Sequence, residues 1–141
     1  EVVFPVDSPN GIGLSPSGDR VYWAETHTGR VFQRAIASPG VRAPADPLVP
    51  SVLCGLPGIQ LLDSLAVDGD GNVCVATLVN GGVTVISPAG EVIDFVETDD
   101  RITTNVCFGG SDMRTAWITA SSTGRLLRMQ WPRPGLKLNW Q

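Results

Sequence analysis

Residues that build most nucleophilic and thiolate metal sites are scarce in this sequence. Its 141 residues include one histidine, three cysteines and one tyrosine. Cys54, Cys74 and Cys107 show no CxxC spacing, which argues against a disulfide framework or a thiolate site, so we expect small buried thiols in a reducing compartment. His27 lies in a "THTG" turn and no GxSxG segment is present, so a Ser-His-Asp triad is not expected.

Positive charge and long apolar runs are also lacking. The 10 Lys and Arg against 14 Asp and Glu give a net charge of -4, and no basic cluster is present, so nucleic acid is not an expected partner. No apolar run approaches the ~18 residues of a membrane span, and the first residues lack the layout of a signal peptide. We therefore expect a cytoplasmic protein without a membrane partner. Glu1 in place of Met suggests a fragment, a processed product or a partial gene.

Helical periodicity is the third absence. The 16 Gly and 11 Pro are spread between short apolar runs, and segments such as "RVYWA", "NVCVA" and "TAWITA" are rich in Val, Ile and aromatic residues. Glycines in "SPSGDR", "DGDGN" and "SPAGE" stand where tight hairpins need a positive φ. The sequence predicts an all-β fold.

An internal repeat organises these strands. Three copies share the order polar residue, apolar strand, Gly- or Asp-bearing turn, second strand, Gly turn and third strand; they run from Asn10 to Ile36, from Asp63 to Ser87 and from Asn105 to Trp131. Their starts are about 40 to 55 residues apart, which is typical of four-stranded β-propeller blades. We predict one partial or half propeller domain over residues 1–141, with repeats near 10–58, 63–100 and 105–140. The proline-rich segment 38–58 is predicted to be a loop excursion at an outer strand.

Several residues in this pattern have structural interpretations. "DGDGN" resembles part of an EF-hand loop but lacks the closing glutamate and the flanking helices. Three aspartates in hairpin turns are predicted to be solvated turn formers, namely Asp68, Asp70 and Asp112. Three aromatic residues of the central strands are predicted to pack between blades, namely Tyr22, Trp23 and Trp117.

The polar residue at the start of each copy is the candidate site. If Asn10, Asp63 and Asn105 each begin the innermost strand of a blade, their side chains point toward one axis from three directions. Amide and carboxylate oxygens without histidine or thiolate favour Ca²⁺ or Mg²⁺, with Zn²⁺ and Mn²⁺ as alternatives. The competing interpretation of Asn10 is structural, because Asn-Gly is a common turn dipeptide.

Four motifs resemble successive blades of the senescence marker protein (regucalcin)/gluconolactonase family, in its C-terminal half. They are "PNGIGLSPSGDRVYWAET", "LDSLAVDGDGNVCVA", "GGVTVISPAGEVI" and "TTNVCFGGSDMRTAWITAS". The resemblance covers residues 8–130 approximately. It implies a six-bladed propeller that binds one divalent cation at the top of its channel and hydrolyses sugar lactones or related esters.

The resemblance also implies roles for individual residues. Asn10 of the intact "PNG" matches a metal ligand, and Asp63 matches a second ligand that is also proposed as the catalytic base. Leu62 and Ser64 replace the family's Pro and Gly beside that aspartate, and Ser64 is an additional candidate contact to the cation. Asn105 matches a channel-facing position that contacts substrate or supports the ligands.

Two functional hypotheses follow. The chain is either the C-terminal part of a metal-dependent lactonase, or a self-associating half-propeller that binds a metal or small molecule without catalysis. The N-terminal half of the family would supply a glutamate ligand and substrate-contacting residues, so a fragment without it would be inactive. A half ring exposes unpaired flanks, so we expect either that missing half or a second copy as a partner.

Overall fold

The chain forms twelve β-strands in a computed structural model, which describes residues 3–45 and 51–139. The strands are β1 (Pro9–Leu14), β2 (Arg20–Glu25), β3 (Arg30–Ser38), β4 (Val41–Arg42), β5 (Val52–Gly55), β6 (Leu61–Val67), β7 (Val73–Leu78), β8 (Gly82–Ile86), β9 (Val92–Glu97), β10 (Thr103–Gly109), β11 (Thr115–Ala120) and β12 (Arg125–Gln130). These described ranges contain no helix, so no helix in them could cross a membrane.

The strands form three antiparallel sheets in chain order. The first sheet has the order β1-β2-β3, with β5 on the outer side of β3 and the short β4 paired to the end of β3. The second is β6-β7-β8-β9 and the third is β10-β11-β12. These are successive propeller blades, which confirms the predicted all-β class and its partial ring. Within the described residues the third blade has three strands, one fewer than predicted. The predicted excursion at 38–58 contains β4 and the outer strand β5, while its residues 46–50 lie outside the described part.

The core lies between the blades. One cluster joins the first and second blades and includes Tyr22, Val31 and Val75; the other joins the second and third and includes Val85 and Ile118. The middle blade is covered on both faces, which explains why nearly every residue of β7 and β8 is buried. Its nearly continuous Val-rich strands are therefore a consequence of two-sided packing.

The aromatic residues divide between this core and the outer flanks. Tyr22 is buried between the blades as predicted. Trp23 is also buried, but it stacks on Phe32 of its own blade, with ring centroids 5.3 Å apart. Trp117 is 38% exposed, with the guanidinium of Arg128 5.8 Å above its ring. The prediction that Trp117 packs between blades is wrong for the described residues, because its side chain faces away from the middle blade.

The cysteines are free, but they are not uniformly buried. Cys74 is fully buried, and burial raises the pKa of its thiol. Cys54 is half-buried. Cys107 is exposed, so the prediction of a buried thiol is wrong there, since its side chain lies on the uncovered face of the third blade.

A C-terminal tail, residues 131–139, crosses the ends of the inner strands. The backbone N–H of Leu136 donates to the carbonyl of Val67 at 3.1 Å, and that of Gly69 donates to the carbonyl of Pro134 at 2.8 Å. The tail thereby joins the last strand of the third blade to the end of β6 in the second. It covers the end of the inner strands opposite to their starts.

Asp68 anchors this tail. It is fully buried, and it accepts hydrogen bonds from the backbone N–H of Asn72 at 2.8 Å and from Nε of Arg133 at 3.1 Å. Arg133 also donates to Asp94 at 3.2 Å. The prediction of a solvated turn aspartate is wrong for Asp68, because the tail brings an arginine to it. Asp70 and Asp112 are exposed, as predicted.

A second buried carboxylate, Asp100, joins the second blade to the third. It accepts hydrogen bonds from the hydroxyl of Ser122 at 2.5 Å, the hydroxyl of Thr123 at 2.6 Å and the backbone N–H of Ile102 at 2.8 Å. These donors, with the Ser122 hydroxyl first, hold the pKa of the Asp100 carboxyl well below its usual 3.8. The charged form therefore stabilises the folded state.

This depressed pKa predicts a pH-dependent contribution to stability. The contribution is complete above the ordinary carboxyl pKa of 3.8 and is lost as the pH falls toward the lower folded-state value. We expect Asp100→Asn to lower the thermal unfolding midpoint at pH 7, and the difference from the wild type to shrink at pH 2 to 3. Asp70→Asn, at an exposed turn, is the control. If the difference in unfolding midpoint between Asp100→Asn and the wild type stayed constant with pH, the depressed pKa assigned to Asp100 would be contradicted.

Candidate functional site

The three inner strands β1, β6 and β10 share an irregularity near their starts. In each, the pairing with the second strand of the blade shifts by one residue, between Pro9 and Ile12, between Leu62 and Leu65, and between Thr103 and Asn105. Such a β-bulge adds one residue to a strand and re-aims the side chains around it. All four sequence-predicted site residues lie within these bulges.

Asn10 lies in β1, so the turn suggested by the Asn-Gly dipeptide does not form. Its side chain is exposed, and Nδ2 donates to Oγ1 of Thr26 at 3.4 Å. This contact orients the amide with its nitrogen toward the loop after β2. The carbonyl oxygen is therefore the end of the side chain that is left for a ligand.

Gly11 brings this strand against the second blade. A Cβ at Gly11 would lie 2.8 Å from the carbonyl oxygen of Asp63 and 2.8 Å from the carbonyl carbon of Ser64, and closer still to the backbone nitrogen of Leu65. Only glycine fits here, because all three neighbours are backbone atoms. The contact sets Asn10 beside the bulge that carries Asp63 and Ser64.

Asp63 and Ser64 are both half-buried in the bulge of β6. Oδ1 of Asp63 accepts a hydrogen bond from the backbone N–H of Ser64 at 2.9 Å. Among the described residues, the other carboxylate oxygen and the Ser64 hydroxyl have no hydrogen-bond partner. One carboxylate oxygen and one hydroxyl are thus available for a ligand beside Asn10.

Asn105 is exposed, and its position in the bulge differs from that of the other two candidates. Asn10, Asp63 and Thr104 each follow directly after the last regular pair of their strands, whereas Asn105 comes one residue later, level with Gly11 and Ser64. Its Oδ1 accepts from the backbone N–H of Val106 at 2.8 Å. The sequence comparison, which set Asn105 level with Asn10 and Asp63, is one position out.

Thr104 is therefore the equivalent residue of the third strand, and sequence reasoning missed it. Its hydroxyl contacts the hydroxyls of Thr119 at 2.8 Å and Ser121 at 2.7 Å. The only sequence signal is the Thr-Thr-Asn order before an apolar strand, which does not reveal where the extra residue of a bulge falls.

A groove of about 620 Å³ runs below these bulges along the inner strands. Asn105 lies at its edge, and the tail contributes Leu136 and Leu138. The remaining lining is almost entirely apolar and comprises Ile12, Gly13, Leu14, Leu65, Ala66, Val67, Val106, Cys107 and Phe108. Hydrogen-bonding side chains are thus concentrated where the strands begin.

The chemistry of the donor set decides whether these residues fit a metal ion. The described residues contain no group of three or more His, Cys, Asp and Glu side chains placed to hold one. Asn10, Asp63 and Ser64 instead offer an amide oxygen, a carboxylate oxygen and a hydroxyl, which suit a hard cation. Ca²⁺ takes six to eight oxygens, so this set fits as a part of a site that needs further ligands.

The fold and the site together define a class of protein in which propeller blades carry oxygen donors at one end of a central groove. Residues 1–122 match the model of the SMP-30/Gluconolactonase/LRE-like region. The chain belongs to this family.

Individual relatives agree with the family match. The chain is 30% identical over 131 residues to the 6-deoxy-6-sulfogluconolactonase of Pseudomonas putida, covering 89% of this chain and 43% of the relative. A gluconolactonase from Xanthomonas campestris superposes with a TM-score of 0.75 at 21% identity, over 94% of this chain and 40% of that one. Regucalcin from Agrobacterium tumefaciens, described as a calcium-binding protein, superposes with a TM-score of 0.72 at 21% identity, over 92% of this chain and 50% of that one.

These matches confirm the predicted family and its propeller fold. The chain spans at most half the length of each of these relatives.

Proposed function

We propose that the chain supplies three blades, and part of the active site, of a divalent-metal-dependent lactonase that hydrolyses a sugar lactone or similar cyclic ester. The observation that carries this proposal is the close packing of Gly11, the residue after Asn10, on the backbone of Asp63 and Ser64, in a chain of the gluconolactonase family. The activity belongs to the closed propeller as a whole.

Asn10, Asp63 and Ser64 would hold the cation through the oxygens that their other hydrogen bonds leave available. Ca²⁺ is the first candidate by ligand type, and Mg²⁺, Zn²⁺ and Mn²⁺ are alternatives. A divalent cation, when bound, would polarise the lactone carbonyl and lower the pKa of a water molecule, which contributes several kcal/mol in the transition state.

Asp63 is proposed as the catalytic base. The backbone N–H of Ser64 uses one of the lone pairs of the carboxylate, so the lone pairs that remain can hold the cation and accept a proton from the attacking water. Asn105 lies at the edge of the groove, where the free donors of its amide can contact the substrate or orient a ligand. These roles divide the chemistry between the second blade and the third.

The remaining blades are proposed to come from outside these three. Either an N-terminal half or a second copy of the chain would cover the exposed residues of the two flanks, among them Ile12 on the first and Leu126 on the third. The first arrangement adds the family's glutamate ligand. The second duplicates Asn10 and Asp63 across the channel.

The proposal is tested by lactone hydrolysis with and without a chelator. The mass of the protein is first measured by light scattering, because a stable single chain of 14.9 kDa would exclude the two-copy ring. We expect EDTA to lower the hydrolysis of δ-gluconolactone by about 100-fold or more, and added Ca²⁺ to restore it. Hydrolysis that is insensitive to EDTA, together with no heat on titration of any of the four cations, would refute metal dependence.

A further inference from the structure

Three hydroxyl groups form a chain where the third blade meets the polar end of the groove. Thr104 is its centre, with contacts of 2.8 Å to Thr119 and 2.7 Å to Ser121. Thr104 and Thr119 are half-buried and Ser121 is exposed, so the chain is accessible from one side. We call these three residues the hydroxyl chain.

The bulge register places this chain in the ring of candidate site residues. Thr104 occupies in β10 the position of Asn10 in β1 and of Asp63 in β6. Three adjacent inner strands thus present an amide, a carboxylate and a hydroxyl at the same level. The proposed cation site does not use the hydroxyl of Thr104.

The hydrogen-bonding capacity of the chain suits an alcohol ligand. Three hydroxyls carry three protons, and two internal hydrogen bonds use two of them, so one O–H is always left to donate outward. Because each hydroxyl can rotate, the chain can reverse direction and offer either a donor or an acceptor at its exposed end. A ligand hydroxyl, which is itself donor and acceptor, matches both states.

We propose that the hydroxyl chain is a specificity element that binds a ring hydroxyl of a polyhydroxylated lactone. This inference rests on the proposed lactonase function and assigns the recognition of one substrate hydroxyl to these three residues. The apolar groove below gives a reason, since among the described residues of its lining Asn105 is the only side chain with strong hydrogen-bonding groups, beside the weak thiol of Cys107. The polar contacts of the substrate must therefore be made at the level of the bulges.

A purely structural role is the competing explanation. Ala116, Ile118 and Ala120 of β11 are buried, and the first two belong to the cluster shared with the middle blade, so Thr119 lies on the opposite face. A further blade packed on that face could use the same hydroxyls as an interface contact. Such a contact would affect stability and leave discrimination between substrates unchanged.

The test compares two lactones that differ in hydroxyl groups, δ-gluconolactone and δ-valerolactone. Thr104→Val removes the hydroxyl at nearly constant volume, Thr104→Ser keeps it, and Ser121→Ala shortens the chain. Thr115→Val, a half-buried position at the other end of β11, is the control. We expect Thr104→Val to raise KM for δ-gluconolactone about threefold to tenfold with little change in kcat, to leave KM for δ-valerolactone unchanged, and Thr104→Ser to restore the wild-type value.

Three results would overturn the inference. They are an equal rise in KM for both lactones, a lowered unfolding midpoint with unchanged KM, or no effect of Thr104→Val on KM. If the closed propeller that contains the wild-type chain hydrolyses neither lactone, the proposed function fails, and the inference is then decided by binding. In that case gluconate is titrated into the wild type and Thr104→Val by NMR, and an equal Kd for the two overturns it.

Discussion

Asp63→Asn is expected to lower kcat/KM for lactone hydrolysis by about 10²- to 10⁴-fold. Asparagine keeps the volume and can still accept from the N–H of Ser64, but it cannot take a proton from water and carries no charge to hold a cation. The loss should therefore come from chemistry and metal binding, with the fold retained. Initial rates over a range of lactone and Ca²⁺ concentrations would measure it.

Asp70→Asn is the matched control for this variant. It lies in the same blade, is exposed, and removes the same charge. We expect its kinetics to remain those of the wild type. If Asp63→Asn retained wild-type kcat/KM and bound Ca²⁺ with the same heat as the wild type, Asp63 would be neither the base nor a ligand.

Gly11→Ala is expected to lower the free energy of unfolding by about 3 kcal/mol. The new methyl group would meet the carbonyl oxygen of Asp63 and the carbonyl carbon of Ser64 at 2.8 Å. Backbone atoms cannot rotate away as a side chain can, so the first two blades must separate at their inner strands. Because Asn10 is the next residue, we also expect weaker cation binding.

Gly109→Ala is the control for this substitution. Gly109 also lies in an inner strand, but a Cβ there would meet only the Trp117 side chain, at 3.8 Å. We expect its free energy of unfolding to stay within about 0.5 kcal/mol of the wild type in urea titrations. A Gly11→Ala protein as stable as Gly109→Ala would show that the first two blades can part there without cost.

The local sequence was sufficient to predict the strands and to select Asn10 and Asp63 as candidate site residues. Short runs rich in Val, Ile and aromatic residues, separated by Gly turns, act within a few residues, so they predict β2, β7 and β11 without knowledge of the fold. Asn10 and Asp63 could be selected because the "PNG" motif and the repeat place both at the start of an inner strand. Their adjacency, through Gly11, is consistent with that prediction.

What the sequence could not decide depended on residues far apart in the chain. The equivalence of Thr104 with Asn10 is set by strand register, which is fixed only when β10 pairs with β11 around the bulge.

Asp68 differs from a solvated turn aspartate only because Arg133, 65 positions later, is carried to it by the tail. Cys107 is exposed because its side chain alternates onto the face that no described blade covers. The sequence therefore determined the blades and the polar residues at their starts, while tertiary packing decided strand register and side-chain burial, since both depend on contacts between distant segments.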